Sequence, residues 1–242
     1  MFTHLKERPM TTSTATLTSN VRHPLPTVVG VALAILAPPL SSFVVMPAFK
    51  PLVGPLYGLL GTLFNWSLIL SLVGITTLWA RQPLASLGLR PLAWQWAVLA
   101  GALGVLLAPA LPVLTLLAQH LLPPRPSTVA TDPFAAIPVG WLALGIGTAV
   151  IMEEVVYRAY LIERSAQLTG SVWPGALVGL ALFAGMHLGG WNLAHVVGDV
   201  LPFGAILTAL YLWRRNLLFV VIVHLLLDLP LILIPLGLLP QR

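Results

Sequence analysis

What most constrains this chain is a series of long apolar runs, approximately 26–48, 56–79, 93–118, 139–166, 172–190, 199–213 and 217–237, parted by short turns bearing proline, glycine and arginine. Each is read as a span of the hydrocarbon core, which takes a helix of roughly 20 residues. Lipid offers no partner for a bare amide, so a run of this kind pairs its backbone within itself, as a helix. The expected fold is therefore all-α, a polytopic transmembrane bundle of about seven spans. Only 8% of the residues are charged and 58% are hydrophobic, against roughly 25% charged in soluble proteins. There is no cysteine, which excludes disulfides and thiolate chemistry. The net charge of +5 lies mostly in loops and suits lipid headgroups. With no interleaving of basic and aromatic residues, no nucleic-acid partner is expected.

Residues 1–23 are polar, basic and without periodicity, and are expected to form a disordered N-terminal tail. No small-x-small site closes the apolar run that follows, which argues against a signal peptide. Residues 24–138 are assigned to N-terminal transmembrane helices and 139–242 to a transmembrane core that holds most of the intramembrane polar residues. Pro38 and Pro39 should break or kink the first span, and 119–138 is the longest loop. Lys6, Arg8, Arg22, Arg81, Arg90, Arg164, Arg214 and Arg215 fall on one side of the spans, and Lys50, Arg125 and Arg242 on the other. Lys/Arg asymmetry then places the N-terminus in the cytoplasm and the C-terminus outside. Trp141, Trp173 and Trp213 stand near span ends, as interfacial anchors do.

Against this apolar background the stretch AVIMEEVVYR stands out, carrying Glu153, Glu154 and Arg158 in a chain with seven acidic residues. An ionisable group at bilayer depth costs roughly 2.5–3.5 kcal/mol on insertion scales and marks a functional site by default. Two further spans carry polar pairs at helical spacing, Phe183 with His187 and His224 with Asp228. If the fourth and fifth spans turn at Thr169–Gly170, Glu153 and His187 lie opposite one another, each about 25 Å from the turn at 1.5 Å per residue. His224 and Asp228 reach about 12–18 Å by the same rise. Glu154 and Arg158 are i,i+4 in the favourable acid-first order, a natural ion pair. Glu153 is rotated about 100° away and is free to face His187.

A carboxylate beside a neutral histidine can hold and deprotonate a water, and a low-dielectric site suits a general base working near pH 7. A second histidine with a polar neighbour can stabilise an oxyanion. That set fits hydrolysis of a carbonyl compound, most simply a peptide. The leading reading takes no cofactor; a zinc-dependent version would draw its ligands from Glu153, His187 and His224. Each signal has a plainer explanation: an interhelical hydrogen bond for a lone histidine, a structural ion pair for Glu154–Arg158, an interfacial loop for His195 and Asp199, a helix end for His120. The conjunction on three spans favours chemistry. A non-catalytic scaffold or immunity protein is the rival from another class. A proton-coupled transporter ranks last, because no inverted repeat is visible.

The three motifs Glu153-Glu154-x-x-x-Arg158, Phe183-x-x-x-His187 and His224-x-x-x-Asp228 resemble the CPBP family of intramembrane proteases. This is the CAAX-protease and bacteriocin-processing (Abi) group, which includes the type II CAAX prenyl endopeptidases. The resemblance covers about 139–236, and the LGLR sequence at Leu87–Arg90 is similar to a juxtamembrane feature of bacterial members. It implies a glutamic-type membrane endopeptidase acting on membrane-associated protein or peptide substrates, with its site opening towards the cytoplasm. It further implies that Glu153 and His187 activate the water and that His224 and Asp228 bind the oxyanion. Glu154 and Arg158 would orient the site or contact substrate, with Phe183 completing the second motif. Prenyl-protein members usually carry asparagine where this chain has Asp228. An ionised aspartate repels an oxyanion, so Asp228 would be protonated or would orient His224. The style of the chain points to a bacterial inner membrane.

Overall fold

The computed structural model describes residues 24–122 and 137–239. The expected tail at 1–23, most of the 119–138 loop and Arg242 lie outside the described residues. Seven helical bodies follow one another: α1 (Leu25–Val53), α2 (Tyr57–Trp79), α3 (Trp94–Leu121), α4 (Val139–Thr169), α5 (Trp173–His187), α6 (Leu193–Arg214) and α7 (Leu217–Leu233). No strand occurs among the described residues. Each body corresponds to one of the expected spans, but only five, α1 to α4 and α6, are long and apolar enough to cross a membrane. Helices α5 and α7 are shorter apolar helices, so five of the seven expected spans are matched at crossing length.

Pro38 and Pro39 do not break α1. The backbone stays helical through both, and the strain is taken up just beyond them by a wide π turn at Ser41–Val45. Further wide turns occur at Ile75–Trp79, Glu154–Tyr160 and Val196–Val200. Such turns shift the rotation of everything beyond them and are frequent at functional sites. Helix α3 relaxes at Ala108–Pro109 between its two halves.

Helices of the first half pack directly on those of the second: α2 on α4, α3 on both α6 and α7, and α1 on α4 and α5. The tightest crossing is α4 with α5. These two turn at Gly170, which takes a φ of +75°, a left-handed value that favours glycine. A Cβ on Gly175 would strike the carbonyl of Leu161, and one on Gly179 the carbonyl of Tyr157. The G-x-x-x-G pattern thus lets two backbones touch, the usual device for close helix pairs in lipid.

One end of the bundle is laced by polar contacts. Buried Arg164 donates to Ser86 Oγ (2.8 Å) and to Gln82. Glu163 accepts from the Tyr211 hydroxyl (2.9 Å) and pairs with Arg215 (3.1 Å). The Leu87–Arg90 turn is held against the start of α7, where Leu217 N–H donates to Gly88 O (2.9 Å) and Asn216 to Arg90 O (3.2 Å). Asn216 also caps α7 by accepting from Phe219 N–H (3.1 Å).

Candidate active site

The wide turn Glu154–Tyr160 in α4 is the centre of the site, and all seven of its residues are buried. Glu154 Oε1 accepts from Arg158 Nη1 at 2.8 Å and from His224 Nδ1 at 2.7 Å. All three side chains are at most 1% exposed. The expected Glu154–Arg158 pair is therefore present, but it is one half of a triad that also fixes the His224 ring. Arg158 makes a further contact to Gly204 O at 3.4 Å and lays its guanidinium over the Phe183 ring, 4.3 Å from the centroid. Buried charge is tolerable only when paired and hydrogen-bonded in this manner.

Phe183 explains the second motif. Its ring is fully buried and meets Tyr157 (6.0 Å), Phe203 (5.8 Å) and His224 (6.2 Å) edge-on. Its carbonyl accepts from His187 Nδ1 at 2.7 Å. A neutral imidazole that donates from Nδ1 keeps its lone pair on Nε2. His187 ends α5 and lines a cleft of about 360 Å³ together with Glu153.

Glu153, with its side chain 17% exposed, is the acid that reaches the cleft. The imidazole within ion-pairing distance of it is His224, whose Nε2 lies 3.7 Å from Glu153 Oε2 and 3.5 Å from Asp228 Oδ2. Glu153 and His187 share the cleft, yet no direct bond joins them among the described contacts. His224 stands level with the acids, and its two nitrogens reach Glu153, Glu154 and Asp228. Tight approach of α7 to α3, where Gly104 meets Leu226 and the Val223 carbonyl, helps to set this depth.

Other side chains come in that sequence reasoning assigned no role. His195 and Asp199, expected in an interfacial loop, are on α6, half-buried and 3.6 Å apart. His195 stacks on Trp191, a cleft residue, with centroids 4.2 Å apart. The opposite wall is built by α1 and α2 and includes Ser41, Tyr57 and Asn65. On α2 the hydroxyls of Thr62, Ser67, Ser71, Thr76 and Thr77 each donate back to a carbonyl of their own helix, at 2.7–3.0 Å. Asn65 makes no such bond among the described contacts and lines the cleft instead. A carboxamide alone in an apolar run was the sequence signal for it. His120, at the end of α3, is not among the cleft residues.

The zinc version fits poorly. Among the described residues no three His, Asp or Glu side chains are arranged to hold a metal ion.

Among the described residues, an all-helical bundle with five apolar helices of crossing length and with acids and imidazoles packed together inside it points to an integral membrane protein with a buried polar site. Residues 135–230 match the family described as "Type II CAAX prenyl endopeptidase Rce1-like", a protease family, and the three motifs that carry the resemblance all fall within that stretch. Searches of curated proteins and of solved structures each gave no match.

Proposed function

We propose that this protein is an intramembrane endopeptidase in which Glu153 is the general base. A cleft water, held between the Glu153 carboxylate and His187 Nε2, attacks the carbonyl carbon of a peptide bond and gives its proton to Glu153. His224, which donates Nδ1–H to Glu154, carries its second proton on Nε2 and donates that one to the oxyanion that forms on the carbonyl oxygen. The tetrahedral intermediate then collapses, the C–N bond breaks, and the proton on Glu153 passes to the leaving nitrogen. Glu154 and Arg158 do not touch the reacting atoms; they hold the His224 ring at its angle. Asp228 orients the same ring from the other side. The step needs no cofactor.

The observation that carries this reading is the division between two adjacent acids. Glu154 is sealed and shared between a guanidinium and an imidazole, while Glu153 reaches the cleft that His187 also lines. A structural ion pair would need the first acid and has no use for the second. Prenylated CAAX proteins enter as a substrate class through the family description alone, and a bacterial inner membrane is the proposed location.

The test is to compare protein termini in membranes of cells carrying the wild-type chain, Glu153→Ala or His187→Ala. Either substitution should abolish the same set of cleavages by at least about 10²-fold, the usual range for a general acid–base group, at unchanged protein level. A variant of either residue that keeps full cleavage removes the assignment. Retention of the biological effect by Glu153→Gln would favour the scaffold reading instead.

A further inference from the structure

The cleft is not centred in the bundle. Its walls begin at Glu153 and His187 and run towards Met46, Tyr57, Gly190 and Trp191, the ends of α1 and α2 and the turn beyond α5. Asn65 lies about 12 Å along α2 from Tyr57 and about 21 Å from Trp79, at 1.5 Å per residue. The opposite end of the bundle carries Arg81, Arg90, Arg164, Arg214 and Arg215. These belong to one face, because the Arg164–Ser86, Arg215–Glu163 and Asn216–Arg90 contacts tie their segments together. At the cleft end Lys50 is the one described Lys or Arg. In the sequence Lys6, Arg8 and Arg22 precede α1.

Basic residues flanking short loops stay on the cytoplasmic side. A cleft open to the cytoplasm, as the family resemblance implies, would therefore place the arginine face outside. The two expectations drawn from the sequence conflict in this structure, and the charge rule is the one that acts on this chain's own residues.

The geometry points to a cleft that opens on the outer face of the membrane, to take peptide segments lying on the extracytoplasmic side of a substrate's membrane anchor. The lining suits such a segment. Ser41, Tyr57 and Asn65 offer hydrogen bonds to an extended backbone, and Met46, Met152 and Met186 adapt to varied apolar side chains. The substrate class rests on the peptidase reading above, whereas the side on which the cleft opens does not.

The chain has no cysteine, so each introduced thiol is unique. Lys50→Cys, Asn65→Cys and Ala85→Cys in the full chain would be exposed to a small membrane-impermeant thiosulfonate on intact bacterial spheroplasts and again on opened membranes. The expected result is modification of Lys50→Cys and Asn65→Cys from outside, and of Ala85→Cys only once the membrane is opened. The reverse pattern, protection of Asn65→Cys until opening, or Ala85→Cys modified from outside would overturn the inference. Because no catalysis is read, loss of cleavage in the Glu153 experiment leaves this result standing. A second measurement places one cleavable segment on the outer or the inner side of a single-span reporter; Glu153-dependent cutting confined to the inner reporter would also overturn it.

Discussion

The triad of Glu154, Arg158 and His224 permits a quantitative prediction. One carboxylate oxygen, Glu154 Oε1, takes donors at 2.8 and 2.7 Å, and no member is more than 1% exposed. Arg158→Met keeps much of the side-chain volume but removes the cation, leaving a buried carboxylate with the imidazole alone. Breaking a buried pair from one side costs about 3–5 kcal/mol, which lowers the folded-to-unfolded ratio by roughly 10²- to 10⁴-fold at 1.36 kcal/mol per decade. Loss of the cation over Phe183, 4.3 Å from its centroid, adds about 0.5–2 kcal/mol. Glu154→Gln alone strands Arg158 in the same way. The double substitution Glu154→Gln/Arg158→Met removes both charges, so its cost should fall short of the sum of the singles by about 2 kcal/mol, within the range for contacting residues. The assay is reversible unfolding of the purified chain in mixed micelles, followed by circular dichroism and tryptophan fluorescence. Additive effects, or a single Arg158→Met costing less than about 1 kcal/mol, would show that the pair does not hold the site together as argued from burial.

Two further outcomes follow from the packing. Gly179→Leu must push α5 off the Tyr157 carbonyl; a misplacement of about 1 Å at a reacting group costs on the order of 10² in rate, so Glu153-dependent cleavage should collapse while the protein still inserts. Equal rates for wild type and variant would mean that the α4–α5 contact does not position His187. Gly88→Ala imposes a φ of +73° on a side chain whose Cβ would meet the Tyr211 hydroxyl and the Arg215 carbonyl. It should lower stability by more than the ~1 kcal/mol typical of strained Gly→Ala changes, read by thermal unfolding, whereas Gly140→Ala, in open space, should change it little.

Much of the bundle was legible because length and hydropathy determine where a chain can lie in lipid. The three motif pairs could be placed by counting residues, since i,i+4 spacing and helical rise do not depend on neighbours; Glu154–Arg158 at 2.8 Å is the direct case. Rotation could not be counted. The wide turn from Glu154 to Tyr160 begins at the second acid, and the imidazole within ion-pairing distance of Glu153 is His224, while His187 shares the cleft with it. The cleft's far wall was invisible for a different reason. Ser41 and Tyr57 look like ordinary span residues until α1 and α2 fold over α4, and α1 stays continuous through Pro38–Pro39 only because a wide turn follows.

Helices α5 and α7, which carry the two imidazoles, are the two bodies below spanning length. From Trp173 to His187, α5 extends about 21 Å at 1.5 Å per residue, against roughly 30 Å of hydrocarbon. Local thinning of the bilayer is one response to such short helices, and it would draw headgroups and hydration inward on that flank. Hydrolysis needs a water at a depth where lipid normally excludes it, and a local thinning of the slab supplies one without a channel. Turnover should accordingly depend on acyl-chain length, rising in short-chain lipids and falling in thick, sterol-like membranes.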